Sequence, residues 1–220
     1  MTADTRRSHV PGRTRSAPLL SWIAIGGVVT YVALDIIVQA LPPHDSPIRQ
    51  PESDLAVGPY GWIMTINFVV RAILSGAILV ALKGVLLPSW RTLLGLAFLG
   101  TWTAGALLLA LFPADVGRLQ TVHGGIHLAV AALAFVSMPI GAVLLSRSLA
   151  MDARWADLGQ RVMPFAYLTV AGFAVLVLGS VMHRISGLTE RLFLASALLW
   201  ILILAINLGQ ETAAGGAPEP

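Results

Sequence analysis

Apolar residues in this chain gather into six runs of about twenty residues, and short polar stretches between them hold most of the charges. No run alternates with a period of two, so strands are not expected. At 1.5 Å per residue, each run is long enough as a helix to cross a hydrocarbon layer about 30 Å thick. The pattern therefore predicts six spans: Leu19 to Leu41, Pro59 to Leu82, Thr92 to Phe112, Val122 to Leu145, Val162 to Met182 and Thr189 to Leu208. Pro42-Pro43, Pro88 and Pro113 mark stops, because proline has no N–H to continue a helix. Pro139 and Pro164 fall inside spans and are expected to bend them, which is tolerated where neighbouring helices satisfy the freed carbonyls.

Composition agrees with the pattern. Hydrophobic residues make up 56% and charged residues only 11%, too few charges to coat a soluble surface. The expected fold class is an all-α membrane protein, a six-transmembrane-helix bundle. A basic cytoplasmic segment at 1–18 precedes the bundle at 19–208, and a disordered cytoplasmic tail at 209–220 follows it. With no cysteine, a disulfide scaffold and a thiolate metal centre are excluded. The net charge of +3 does not point to nucleic acid, since the basic residues form no patch interleaved with aromatics. Arg6 and Arg7 raise the question of a secretory or twin-arginine signal. The following run is longer than a signal core and no small-residue cleavage site closes it, so it is expected to stay as the first span.

Lys and Arg in the short loops set the expected orientation. Arg6, Arg7, Arg13, Arg15, Lys83, Arg91, Arg147, Arg154 and Arg161 fall on one side, against Arg49, Arg118, Arg184 and Arg191 on the other. That bias places both termini in the cytoplasm and the protein in the cell membrane. Trp22, Tyr60, Trp62, Trp90, Trp155 and Tyr167 lie near span ends, as an interfacial aromatic belt requires. Ala97, Thr101 and Gly105 repeat a small residue every fourth position, which permits close helix packing.

Polar groups inside spans are costly and mark candidate sites. Asp35 and Asn67 lie at similar depths on the first two spans. Arg71 lies one turn beyond Asn67, and its long side chain is expected to reach Asp35 as an ion pair. His123 and His127 are four residues apart and share a helix face, and His183 ends the fifth span on the same side of the membrane. With a carboxylate, these three imidazoles form a candidate zinc or iron site. The general-base glutamate of a zincin helix is absent, because Gly124 stands in its place. A single haem is another group these imidazoles would suit. A two-haem carrier would need a further intramembrane histidine. No phosphate loop, nucleophile elbow or dinucleotide fingerprint occurs, and no internal repeat suggests a transporter.

Two stretches carry a likeness: Asp54 to Met64 (DLAVGPYGWIM), running on to Phe68, and Leu111 to Asp115 (LFPAD) followed by Thr121 to His127 (TVHGGIH). With the span count, they resemble the bacterial and archaeal membrane family catalogued as domain of unknown function 998. The resemblance implies an integral membrane protein of six or more helices, with Asp115 and His127 as the matching polar positions. It carries no established reaction. The chain is less similar to the membrane hydrolases that bind zinc through an aspartate and three histidines, whose histidines sit on different spans.

Two readings follow. The first is a non-enzymatic or accessory membrane protein with an outward-facing polar pocket lined by Asp35, Asn67, Arg71, Asp115, His123, His127 and His183. Its partner would be a lipid, a quinone or another small apolar ligand, a membrane subunit, or a second copy in a homo-oligomer. The second is a metal-dependent, zinc-like membrane hydrolase acting on a lipid at the outer leaflet, with the histidines as ligands, Asp35 or Asp115 as ligand or base and bound water as nucleophile.

Overall fold

Helix starts are fixed locally. Pro18 occupies the first turn of α1 (Ala17–Ala40), where a missing N–H costs nothing. After α2 (Gly61–Val85), the Ser89 side chain caps α3 (Trp90–Leu111), its Oγ accepting from the Thr92 N–H at 3.1 Å. The Thr121 hydroxyl caps α4 (Val122–Met151) in the same way, accepting from the Gly124 N–H at 3.1 Å. The chain finishes with α5 (Ala156–Ser180) and α6 (Ser186–Ala214), and a short 3-10 turn (Glu52–Ala56) lies between α1 and α2. This is a computed structural model, and it describes residues 16–43, 46–117, 121–182 and 184–214.

All six expected spans are present as helices long and apolar enough to cross a membrane. Each helix packs on the next, and α6 closes the ring against α1 while also reaching α2 and α4. The outward faces carry Trp22, Leu111, Leu128 and Leu178, each at least 65% exposed, as lipid-facing surfaces should. Inside, polar side chains pair across helices: the indole N–H of Trp102 donates to Ser75 Oγ and that of Trp200 to Ser146 Oγ, both at 3.0 Å. Gly105, from the expected small-residue stripe, lies at the α3–α4 contact, where a Cβ would come within 2.7 Å of the Ala134 Cβ. Thr101 instead bonds back to its own helix at Ala97 O.

Three helices outrun the apolar runs that announced them. α4 continues six residues past Leu145, α5 starts six residues before Val162, and α6 extends into the stretch expected as a disordered tail. There Thr212 Oγ1 donates to Leu208 O at 2.7 Å, and Arg161 Nη1 lies 3.9 Å from Glu211. Residues 1–15 and 215–220 lie outside the described residues.

Even helix number puts the start of α1 and the end of α6 at one end, here the terminal end. The segment 46–58 covers the other, here the cap end. It is strapped to α6: Leu188 N–H donates to Ile48 O at 2.9 Å, Ser186 Oγ to Arg49 O at 2.8 Å, and Arg191 Nη1 to Pro47 O and Gln50 O at 3.0 and 2.8 Å. Leu55 of the 3-10 turn is wholly buried, so this loop is a packed lid over the bundle rather than a solvated connection.

A cavity beneath the cap

Below the cap lies a cavity of about 770 Å³, walled by α2, α4, α5, α6 and the 3-10 turn. Its deep end is closed by a cluster of rings, one from each of four helices. Trp102 and Phe135 stand 6.1 Å apart, Phe135 and Phe193 5.1 Å, and Phe173 and Phe193 5.8 Å. Its side opens between α4 and α5. Leu128, Val136 and Val177 line it and are 71%, 43% and 50% exposed on the face that meets lipid. The short α4–α5 turn lies at the terminal end, while the α4 and α5 residues that line the cavity, Gly124 to Val136 and Phe173 to Ser180, lie toward the cap end.

Arg71 is the buried cation of this cavity. It stands ten residues into α2, about 15 Å along the axis from the helix start. The side chain is 1% exposed, and its guanidinium carbon lies 4.8 Å from the Trp102 ring and 5.3 Å from the Phe68 ring. Among the described residues, neither Nε nor Nη2 has a hydrogen-bond partner. A guanidinium presents five donors and seldom stays buried without acceptors.

The expected Asp35–Arg71 pair is not formed. Asp35 Oδ2 lies 4.0 Å from Nε of Arg191 on α6, while Arg191 Nη2 donates to Gln39 Oε1 at 2.7 Å. Equal depth on two helices fixes height but not facing: Asp35 turns toward α6, whereas Arg71 turns toward the α3 ring Trp102. Asn67 is fully buried and its amide nitrogen lies 3.9 Å from the Met64 sulfur, but it does not line the cavity.

Two other carboxyl groups share the cavity with Arg71. Glu52, in the cap, is 2% exposed and accepts a hydrogen bond from the Tyr31 hydroxyl. Glu190, one turn into α6, is 8% exposed and the Ser53 amide faces its carboxylate. Both line the cavity. Burial first, then the charges of Asp35 and Glu190, push Glu52 up to about 8, against the opposing pull of Tyr31 and Arg71. Burial also pushes Asp54 up to about 6, with Arg191 opposing. A sequence signal for this arrangement existed: Glu52 is followed within three residues by Leu55, an apolar residue that a loop open to water would not favour.

Asp115 and His127 line the cavity rim, but their contacts are structural. The Asp115 carboxylate accepts from the Thr121 N–H at 2.7 Å and the Thr121 hydroxyl at 2.8 Å, which holds it below the usual carboxylate range. It thereby secures the start of α4, with Gly124 leaving it room: a Cβ there would come within 2.0 Å of Oδ2. His127 Nδ1 lies 2.7 Å from Phe112 O, an acceptor only, so that nitrogen carries the hydrogen and Nε2 is the basic one. His123, on the same helix, is exposed and sets its ring edge-on to Phe112 at 5.6 Å. Among the described residues, no three His, Asp or Glu side chains converge as metal ligands. His183 lies outside the described residues.

The fold and site define a multi-pass helical membrane protein with a side-opening cavity. A family model described as "Protein of unknown function (DUF998)" matches residues 24–207, and the chain belongs to that family. No curated protein and no solved structure matches it.

Proposed function

We propose that this protein binds an amphiphile, with its apolar tail in the slot between α4 and α5 and its polar head against Arg71. The observation that carries the reading is the pairing of an unsatisfied buried guanidinium with a cavity open to the lipid face. Soluble ligands rarely need a wall of Leu128, Ala132, Val136 and Val177, whereas a lipid chain pays no desolvation cost to lie there. Volume agrees, since about 770 Å³ is within the range of small-molecule sites. The role is non-enzymatic or accessory: a holder or presenter of its ligand.

A tryptophan at Ala132 would fill the slot from its α4 wall. Ala132→Trp is expected to lower the lipid that co-purifies with the protein at least fivefold while the protein stays folded in detergent. Unchanged lipid content, measured by mass spectrometry of the extract, would contradict the reading.

Orientation belongs to the same proposal. Lys83, Arg91, Arg147, Arg154 and Arg161 all fall at the terminal end, which supports a cytoplasmic location for both termini, with the cap on the opposite side of the cell membrane. The chain has no cysteine, so single cysteines label without background. A cysteine at Gly117 is expected to react with an impermeant maleimide on intact cells, and one at Met151 only after permeabilisation. The reverse pattern would invert the model of insertion.

A further inference from the structure

We infer that the cavity takes up its amphiphile as an anion together with a proton: Arg71 receives the anionic head, and the carboxyl group of Glu52 holds the proton. This rests on the amphiphile reading above. A planar guanidinium with free donors favours a carboxylate, phosphate or sulfonate over a neutral or cationic head. Yet Glu52 and Glu190 line the same space, and no ion pair within 4.0 Å joins either to Arg71 among the described residues. An anion bound at Arg71 therefore meets two carboxyl groups, and like charges in a buried site raise the cost of ionising them.

Glu52 is the proton holder because burial in the cap and two neighbouring carboxyl groups disfavour its charge. From α1 Asp35 repels its anion, and from α6 Glu190 repels it, while the Tyr31 hydroxyl of α1, donating to the carboxyl group, opposes them. From α2, Arg71 also attracts that anion, and a bound ligand would neutralise this attraction. Asp54, in the same turn, is drawn to Arg191, and His127 on α4 interacts with the charges of Arg71 and Asp115. The balance is simple: one anion enters from the membrane, and the proton on Glu52 is already in place below about pH 8 and comes from the aqueous phase above it. No covalent bond is made or broken.

Because the free carboxyl group titrates near 8, affinity should be level between pH 6.5 and 7.5 and fall by up to tenfold per pH unit above about 8. The probe is radiolabelled hexadecyl sulfonate, anionic across this range, measured on the detergent-solubilised full chain by scintillation proximity. Retention is expected to weaken at least tenfold between pH 7 and 9.5. Glu52→Gln, which fixes the neutral form, should flatten the profile at the low-pH affinity. Hexadecanol and hexadecyl trimethylammonium should compete at least tenfold more weakly than unlabelled sulfonate, and methanesulfonate, a head with no tail, should not compete.

A wild-type profile that is flat with binding intact would overturn the proton coupling and leave the amphiphile reading standing. Equal competition by the alcohol or the ammonium would overturn the anionic head. Competition by methanesulfonate as strong as by the full probe would make this a site for a small free anion. Failure to retain any of the long-chain probes would overturn the amphiphile reading itself. The wild-type profile needs no variant, so misfolding of Glu52→Gln would not remove the test.

Discussion

Arg71→Met is expected to abolish amphiphile retention, by tenfold or more, while the melting temperature in detergent holds or rises. Methionine matches much of the arginine's length, and its sulfur makes favourable contacts with rings such as those of Phe68 and Trp102. What it removes is a charge whose Nε and Nη2 have no acceptor. Burying an unpaired polar or charged group costs more than the roughly 2 kcal/mol that stacking on rings returns. A residue kept at such a cost is accounted for by the ligand that completes it. The check is a paired measurement of bound lipid and thermal unfolding. A fall of more than about 8 °C with lipid retained would make Arg71 a structural residue.

The second large effect concerns the cap. Gly61→Val should collapse the cap end, because even a Cβ at this position would come within 2.1 Å of Ala56 O and 2.6 Å of Ala56 C. Those are backbone atoms and cannot rotate away. Relief requires moving the 3-10 turn, which would lift buried Leu55 and Glu52 off the bundle. Overpacking of this kind costs about 1–3 kcal/mol, so the melting temperature should fall by roughly 2–12 °C by the arithmetic for chains of this size. Gly26 is the control, since no atom lies within 4 Å of a Cβ placed there. Gly26→Val should be silent, and equal losses from both would show that the cap is not the cause.

The spans were legible in the sequence because crossing a membrane demands continuous apolar length, a property each run shows by itself. Helix ends were less so. Ser146, Arg147 and Ser148 read as loop, yet Ser146 is buried against Trp200, and Arg147 reaches the Tyr167 hydroxyl at 3.4 Å. Polar residues can stay helical wherever another helix supplies their partners.

The candidate site was legible in part. Arg71, Asp115 and His127 do line one cavity, because depth and side can be counted from a span end. Facing cannot: equal depth pairs Asp35 with Arg71, whereas the fold sets it against Arg191, 156 positions away. The histidine pair illustrates the same limit: His123 and His127 share a helix, yet one is exposed and the other is spent on Phe112 O. The burial of Glu52 and Glu190 is not legible in the sequence, because loop and span-end acids are ordinarily solvated. Only the folding of the cap onto α6 takes these two out of water.

Photo-crosslinking with a lipid that carries a diazirine midway along one acyl chain tests the central claim most directly. In membranes, the full chain is expected to be labelled mainly at residues facing the slot, Leu128 to Val136 on α4 and Phe173 to Val177 on α5, and Arg71→Met should remove that labelling. Labels spread evenly over the lipid-facing residues of all six helices, such as Trp22, Ile73, Leu111 and Leu192, and indifferent to Arg71→Met, would contradict the account.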